Sequence, residues 1–229
     1  MWVMRRSLTA ATLLSATALL ALSAPAGAEM LELGKIEPNV RNRCPDKKLC
    51  TAAGRVTGYQ TRVGSATGTM LARHSGRIVA WTISLGKPTR KQIAWFDAKL
   101  GKGSQAQITV LRKASGKKRK RTTWVTVRHG EPRSLTPYFG KTVTFALKDS
   151  IAIKKGQMVA LTIPTWAPAL ADGFGDDVSW RASRPKTECE DNQTQTAQTE
   201  IGQSAQYGCL YKQARLIYSA WMVTTPRRN

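Results

Sequence analysis

Val79-Ala80-Trp81-Thr82-Ile83-Ser84-Leu85 reads as an extended chain with two unlike faces. Successive side chains of a strand point to opposite sides, so Val79, Trp81, Ile83 and Leu85 fall together on one face. The same period recurs outward along the chain. Val143, Phe145 and Leu147 alternate with threonine and alanine, and Val159, Leu161 and Ile163 repeat the pattern. So do Ile108 with Val110, and Thr123, Val125 and Val127. Glycine- and lysine-rich turns such as Gly101-Lys102-Gly103 and Lys154-Lys155-Gly156 separate the runs. Many short strands at fairly regular spacing predict an all-β fold: an antiparallel β-sandwich with jelly-roll-like connections. The last run, Ala214 to Thr224, is apolar on both faces. It is expected in the middle of a sheet, covered on both sides.

One segment follows a different period. Ile93, Phe96 and Leu100 stand at i, i+3 and i+7 and share one helical face. Thr89 can cap the start and Gly101 the end. This predicts a three-turn helix over 89–100, its apolar face laid on an end or open face of the sandwich. Residues 29–53 and 165–207 are polar and turn-rich and are expected to be irregular. The Gln/Thr stretch from Asn192 to Thr199 reads as a surface loop. The expected organisation is a signal peptide at 1–28, an irregular segment with the Cys44/Cys50 loop at 29–53, and a β-sandwich domain at 54–229.

The chain has 229 residues, 36 Lys and Arg against 14 Asp and Glu, and a formal charge of +22. Arg5 and Arg6, the apolar run Leu8 to Leu22, and Ala26-Gly27-Ala28 form the three regions of a cleavable signal peptide. That run is short for a membrane span, which needs about 20 residues. Residues 1–28 hold two arginines and no acid, so the remaining 201 residues carry 34 cations, 14 anions and a charge of +20. This reading excludes an integral membrane protein, a cytosolic enzyme and a tiny disulfide knot. It places the protein outside the cell or in the envelope.

Four cysteines remain, Cys44, Cys50, Cys189 and Cys209, and they allow three pairings. Local pairs, Cys44 with Cys50 and Cys189 with Cys209, fit an oxidising compartment. The two loops would contribute roughly 2 and 3 kcal/mol in the chain-entropy treatment. A four-cysteine zinc site is the rival, but the gaps of five and nineteen residues depart from the usual knuckle spacing. No metal or cofactor is implied.

Enzyme signatures fail one by one. His74 and His129 stand 55 residues apart with no ligand spacing, and a lone histidine is usually a bystander. Gly64-Ser65-Ala66-Thr67-Gly68 has the wrong spacing for a nucleophile elbow. Asp97, Glu131 and Asp149 could supply a carboxylate pair for glycoside hydrolysis, although nothing in the sequence pairs them. Asp172, Asp176 and Asp177 cluster in a glycine-rich loop that could hold calcium. Their simpler reading is a solvated loop of Asx turns. Trp166 and Trp180 could stack on a sugar ring, but tryptophan more often belongs to the core.

Charge is placed unevenly. Ala98 to Gly130 holds ten basic residues and no acid, whereas 172–200 holds seven acids and three bases. Six cations, Lys113, Lys117, Lys118, Arg119, Lys120 and Arg121, lie between two alternating segments, so they read as the tip of a β-hairpin. Five adjacent cations point to an anionic partner, either a polymer or a membrane surface. A solvated turn is the plainer alternative. No motif supports specific nucleic-acid binding, because few aromatics interleave with the run.

Gly156 to Pro168, Ser179 to Arg184 and Ala214 to Tyr218 resemble segments of uncharacterised exported proteins of high-GC Gram-positive bacteria. The resemblance spans about residues 54–224. It implies a β-sandwich and carries no activity or catalytic residues. The expected function is a secreted, non-catalytic binding or structural module. The alternative is a secreted enzyme acting on a polysaccharide.

Overall fold

The computed structural model describes residues 27–36, 50–116 and 122–226. Its strands are β1 (Met30–Leu33), β2 (Ala53–Val63), β3 (Ala66–Thr67), β4 (Gly76–Ser84), β5 (Gln105–Lys113), β6 (Thr123–His129), β7 (Arg133–Ser134) and β8 (Thr142–Ile153). They continue with β9 (Met158–Ala167), β10 (Leu170–Asp172), β11 (Val178–Ala182), β12 (Ser204–Gln206), β13 (Cys209–Lys212), β14 (Ala214–Leu216) and β15 (Tyr218–Thr224). The single α-helix among the described residues, α1 (Arg90–Leu100), joins β4 to β5.

Two antiparallel sheets face each other as a sandwich. One runs β1-β15-β4-β8 and the other β12-β6-β5-β9-β2-β11-β13, with β3 added to β2. Between them lie Ile78, Trp81, Ile83, Tyr218 and Met222 from the first sheet, and Val56, Ile108, Val159, Leu161 and Ile163 from the second. Each such side chain contributes about 1.5–3 kcal/mol by leaving water.

The alternating reading of β4 holds from Trp81 onward but is out of phase before it. Ile78 is fully buried while Val79 is half-buried. A bulge at Val79 is the cause: β15 passes from Trp221 opposite Ala80 to Met222 opposite Ile78, leaving Val79 without an opposite residue. On the other side, Ala146 pairs with Ala80 and Ile151 with Ile78, so Leu147–Ser150 swing out of the ladder.

Three further expectations are corrected. The segment 29–53 contains an edge strand, because β1 pairs along β15 from Met30↔Val223 to Leu33↔Ala220. Segment 165–207 contains β10, β11 and β12, which gain their register from partners distant in sequence. The last run divides at Ile217, whose backbone bonds Ser84 and Ala169, so β14 pairs with β10 and β15 enters the first sheet. β15 does lie in the middle of its sheet, with Trp221 and Val223 on the outer face half-buried.

A polar layer covers the outer face of the second sheet. Thr109 and Thr57 both bond the Thr162 hydroxyl, at 2.6 and 2.9 Å. The Gln198 backbone N–H donates to the Thr57 hydroxyl at 2.8 Å, and Tyr207 donates its hydroxyl to Gln198 Oε1 at 2.5 Å. Gln198 is fully buried, so the Gln/Thr stretch is pinned on the sheet by satisfied polar groups. The Cys189–Cys209 disulfide, closing a sequence separation of 20, ties the same segment to β13.

The helix matches its expectation closely. Gln92 N–H donates to Thr89 Oγ1 at 3.3 Å and Thr89 N–H to Gln92 Oε1 at 2.7 Å, a capping box. Gly101 ends the helix at φ 108°, a conformation that suits glycine. Phe96 and Leu100 pack with Cys50 and Trp166 in a small cluster at one end of the sandwich.

Candidate functional site

Three surface features gather the residues that carry charge or chemistry. The first is the β5–β6 hairpin. Its strands pair up to Lys113↔Trp124, and Ala114 N–H donates to Thr123 O at 3.0 Å. Arg112 and Lys113 are exposed at this end. The root is firm, because Trp124 is 8% exposed and meets Tyr59 edge-on at 5.8 Å. Lys117, Lys118, Arg119, Lys120 and Arg121 lie outside the described residues, within the connection that follows Lys113. Cys44 also lies outside them, as do residues 1–26 of the expected signal peptide. Its expected partner Cys50 is itself disulfide-bonded.

The second feature is a cleft of about 550 Å³ beside the disulfide, walled by Trp180, Tyr211, Leu210 and Cys189. The Trp180 and Tyr211 rings stack at 4.7 Å and 25°. Arg184 is 3% exposed there and donates from Nη2 to Gly54 O at 2.8 Å. Its Nε and the Trp180 Nε1 are buried without a hydrogen-bond partner, and each is sealed from solvent rather than presented to the cleft. Nearby, the Thr194 hydroxyl and the backbone N–H groups of Thr194 and Gln193 hold the Asp191 carboxyl below its ordinary range.

The third feature is a depression of about 160 Å³. Here the swing of β8 out of register brings Lys148 and Asp149 beside His129, Glu131 and Arg133. Two of the three carboxylates considered for hydrolysis therefore share one site. Both are exposed, and His129 Nδ1 lies 3.0 Å from Gly130 O. Asp97 is engaged elsewhere, since its Oδ1 accepts from Trp166 Nε1 at 2.8 Å and from Gly103 N–H at 2.9 Å. His74 is exposed. Gly64-Ser65 forms the tight turn from β2 into β3, and Gly68 follows that strand.

Asp176 and Asp177 are exposed, and Asp176 Oδ1 accepts from Gln213 Nε2 at 3.3 Å. Among the described residues, no group of three or more His, Cys, Asp or Glu is arranged to hold a metal ion. Trp166 is fully buried and Trp180 is 4% exposed, so both belong to the packed interior. Burial pushes the hydroxyls of Tyr207 and Tyr218 well above the ordinary phenol value, and that of Tyr59 upward.

Reading the residues in sequence passed over the outer face of α1. The periodicity that buries Phe96 turns Trp95 outward, and Trp95 is 51% exposed. No helix among the described residues is long and apolar enough to cross a membrane. Comparisons with protein-family models, curated proteins and solved structures find no match.

Proposed function

We propose that the chain is an exported, non-catalytic binding module that attaches to an anionic polymer or surface of the envelope through the β5–β6 hairpin. The observation that carries this reading is the strand pairing on either side of the basic run in the sequence. Two paired strands, closed at Lys113↔Trp124 and anchored by Trp124, lead directly into five consecutive cations. No acid lies within nine residues of that run on either side. Burying such cations without partners would be prohibitive, so a polyanion is the natural relief for their mutual repulsion. Export rests on the signal-peptide pattern, and the disulfide suits an oxidising compartment.

The test is to replace residues 117–121 with Ser/Gly and measure binding to immobilised polygalacturonate. Wild type should bind at low salt and release as salt rises, because the Debye length falls from about 10 Å at 0.1 M to about 3 Å at 1 M. The variant should lose most of that binding with an unchanged melting curve. Equal binding by both proteins would reduce the hairpin to a solvated turn. One observation favours a second reading, a polysaccharide-acting enzyme: Glu131 and Asp149 share a depression with His129. Release of reducing ends by wild type, abolished in Glu131→Gln or Asp149→Asn, would establish that reading instead.

A further inference from the structure

We propose that the solvent face of α1 is a docking surface for an anionic lipid bilayer, with Trp95 as the residue that enters the headgroup layer. Six residues of the helix are exposed: Arg90, Lys91, Ala94, Trp95, Ala98 and Lys99. Lys91, Trp95 and Lys99 follow at i, i+4 and i+8, so the indole lies between two ammonium groups on one stripe. Lys102, exposed just past the helix, extends the positive charge. The only acid of the helix, Asp97, is half-buried and bonded to Trp166 and Gly103. The exposed face is therefore wholly cationic, aromatic and small.

The helix dipole favours Lys99 in the last turn but does not account for the first. A first turn favours acids because of the helix dipole, yet this one has none and carries Arg90 and Lys91. Trp95 likewise leaves a large indole half in water, its ring meeting Phe96 edge-on at 5.3 Å. Both choices suit a bilayer interface. Tryptophan settles at the headgroup level, while lysine and arginine snorkel toward anionic lipid. The helix is about 16 Å long at 1.5 Å per residue, so it would lie along the surface rather than cross it. A saccharide is a poorer fit. The six exposed residues include no amide or carboxylate for hydroxyl groups, and the half-buried Gln92 accepts the Thr89 N–H at its Oε1.

This surface is separate from the hairpin and stands whether or not the hairpin binds. The test uses the mature chain with vesicles of phosphatidylglycerol and phosphatidylcholine. Trp95→Ala should weaken binding about tenfold or more. The Lys91→Gln/Lys99→Gln pair should weaken it about 25-fold, at about fivefold per lysine. The Lys154→Gln/Lys155→Gln pair, two exposed lysines in the turn before β9 and at the opposite end of that strand from Trp166, should change it by no more than about twofold. Brominated acyl chains should quench wild-type emission and leave Trp95→Ala unquenched. The hairpin variant should keep the Trp95-dependent part of vesicle binding. A cooperative melting transition of Trp95→Ala well above the assay temperature separates lost docking from lost fold. Vesicle binding by Trp95→Ala equal to wild type would overturn the proposal. So would equal losses from the two lysine pairs, or a loss on polygalacturonate with none on vesicles.

Discussion

Phe96→Ala probes the joint between α1 and the sandwich. Phe96 is 5% exposed, and its ring meets the buried Trp166 ring at 4.9 Å and 30°. Truncating a core phenylalanine to alanine costs about 3–5 kcal/mol, the cost rising with the cavity that remains. The satellite cluster is small: among the described residues, its buried members besides Phe96 are Cys50, Leu100 and Trp166. Neighbours such as the half-buried Ile93 can lean into the gap, which places the cost near the lower bound, about 3 kcal/mol. In a chain of 229 residues each kcal/mol shifts the midpoint by about 2–4 °C, so Tm should fall by about 6–12 °C. Thermal unfolding of the protein, followed by circular dichroism, measures this directly. Trp95→Ala is the internal control: it removes a larger ring from the preceding residue, one half in water that meets Phe96 edge-on at 5.3 Å, and should cost about 0.5–1.5 kcal/mol. A Phe96→Ala midpoint within about 2 °C of wild type would refute the docking of this face. An equal loss from Trp95→Ala would refute the assignment of faces.

Asp97→Ala should destabilise by about 1–3 kcal/mol, because it strands the buried Trp166 Nε1–H. Asp97→Asn keeps an accepting oxygen and should lose much less, as chemical denaturation will show. Stability should fall once pH rises above about 10. Tyr59, Tyr207 and Tyr218 hold their protons more tightly when folded than the ordinary phenol value of 10.0, so the unfolded chain ionises first and gains. Their phenolate absorbance near 295 nm should appear together with loss of the far-ultraviolet signal. Titration of all five tyrosines in a still-folded protein would contradict the burial.

The helix was legible in sequence because everything that makes it lies within a dozen residues. Thr89 and Gln92 close the cap, Gly101 ends it, and the spacing of Ile93, Phe96 and Leu100 selects its buried side. The outward turn of Trp95 follows from that same spacing. The sandwich was legible for a similar reason, since a period of two survives in any strand with one buried face. What tertiary structure alone decided involves partners far apart in the chain. Val79 lost its place on the inner face because β15 and β8 leave it opposite no residue. Glu131 and Asp149 share a depression because β8 swings out of its ladder there. Gln198 became core because Thr57 and Tyr207 satisfy its polar groups, whereas its polar neighbours in sequence suggested a surface loop. The run 214–224 broke at Ile217 because Ser84 and Ala169 claim its backbone. Capping and periodicity are local energies that the sequence carries by itself. Register shifts, burial of polar groups and the meeting of distant side chains depend on which strands pair and what covers them, and only the packed chain sets those.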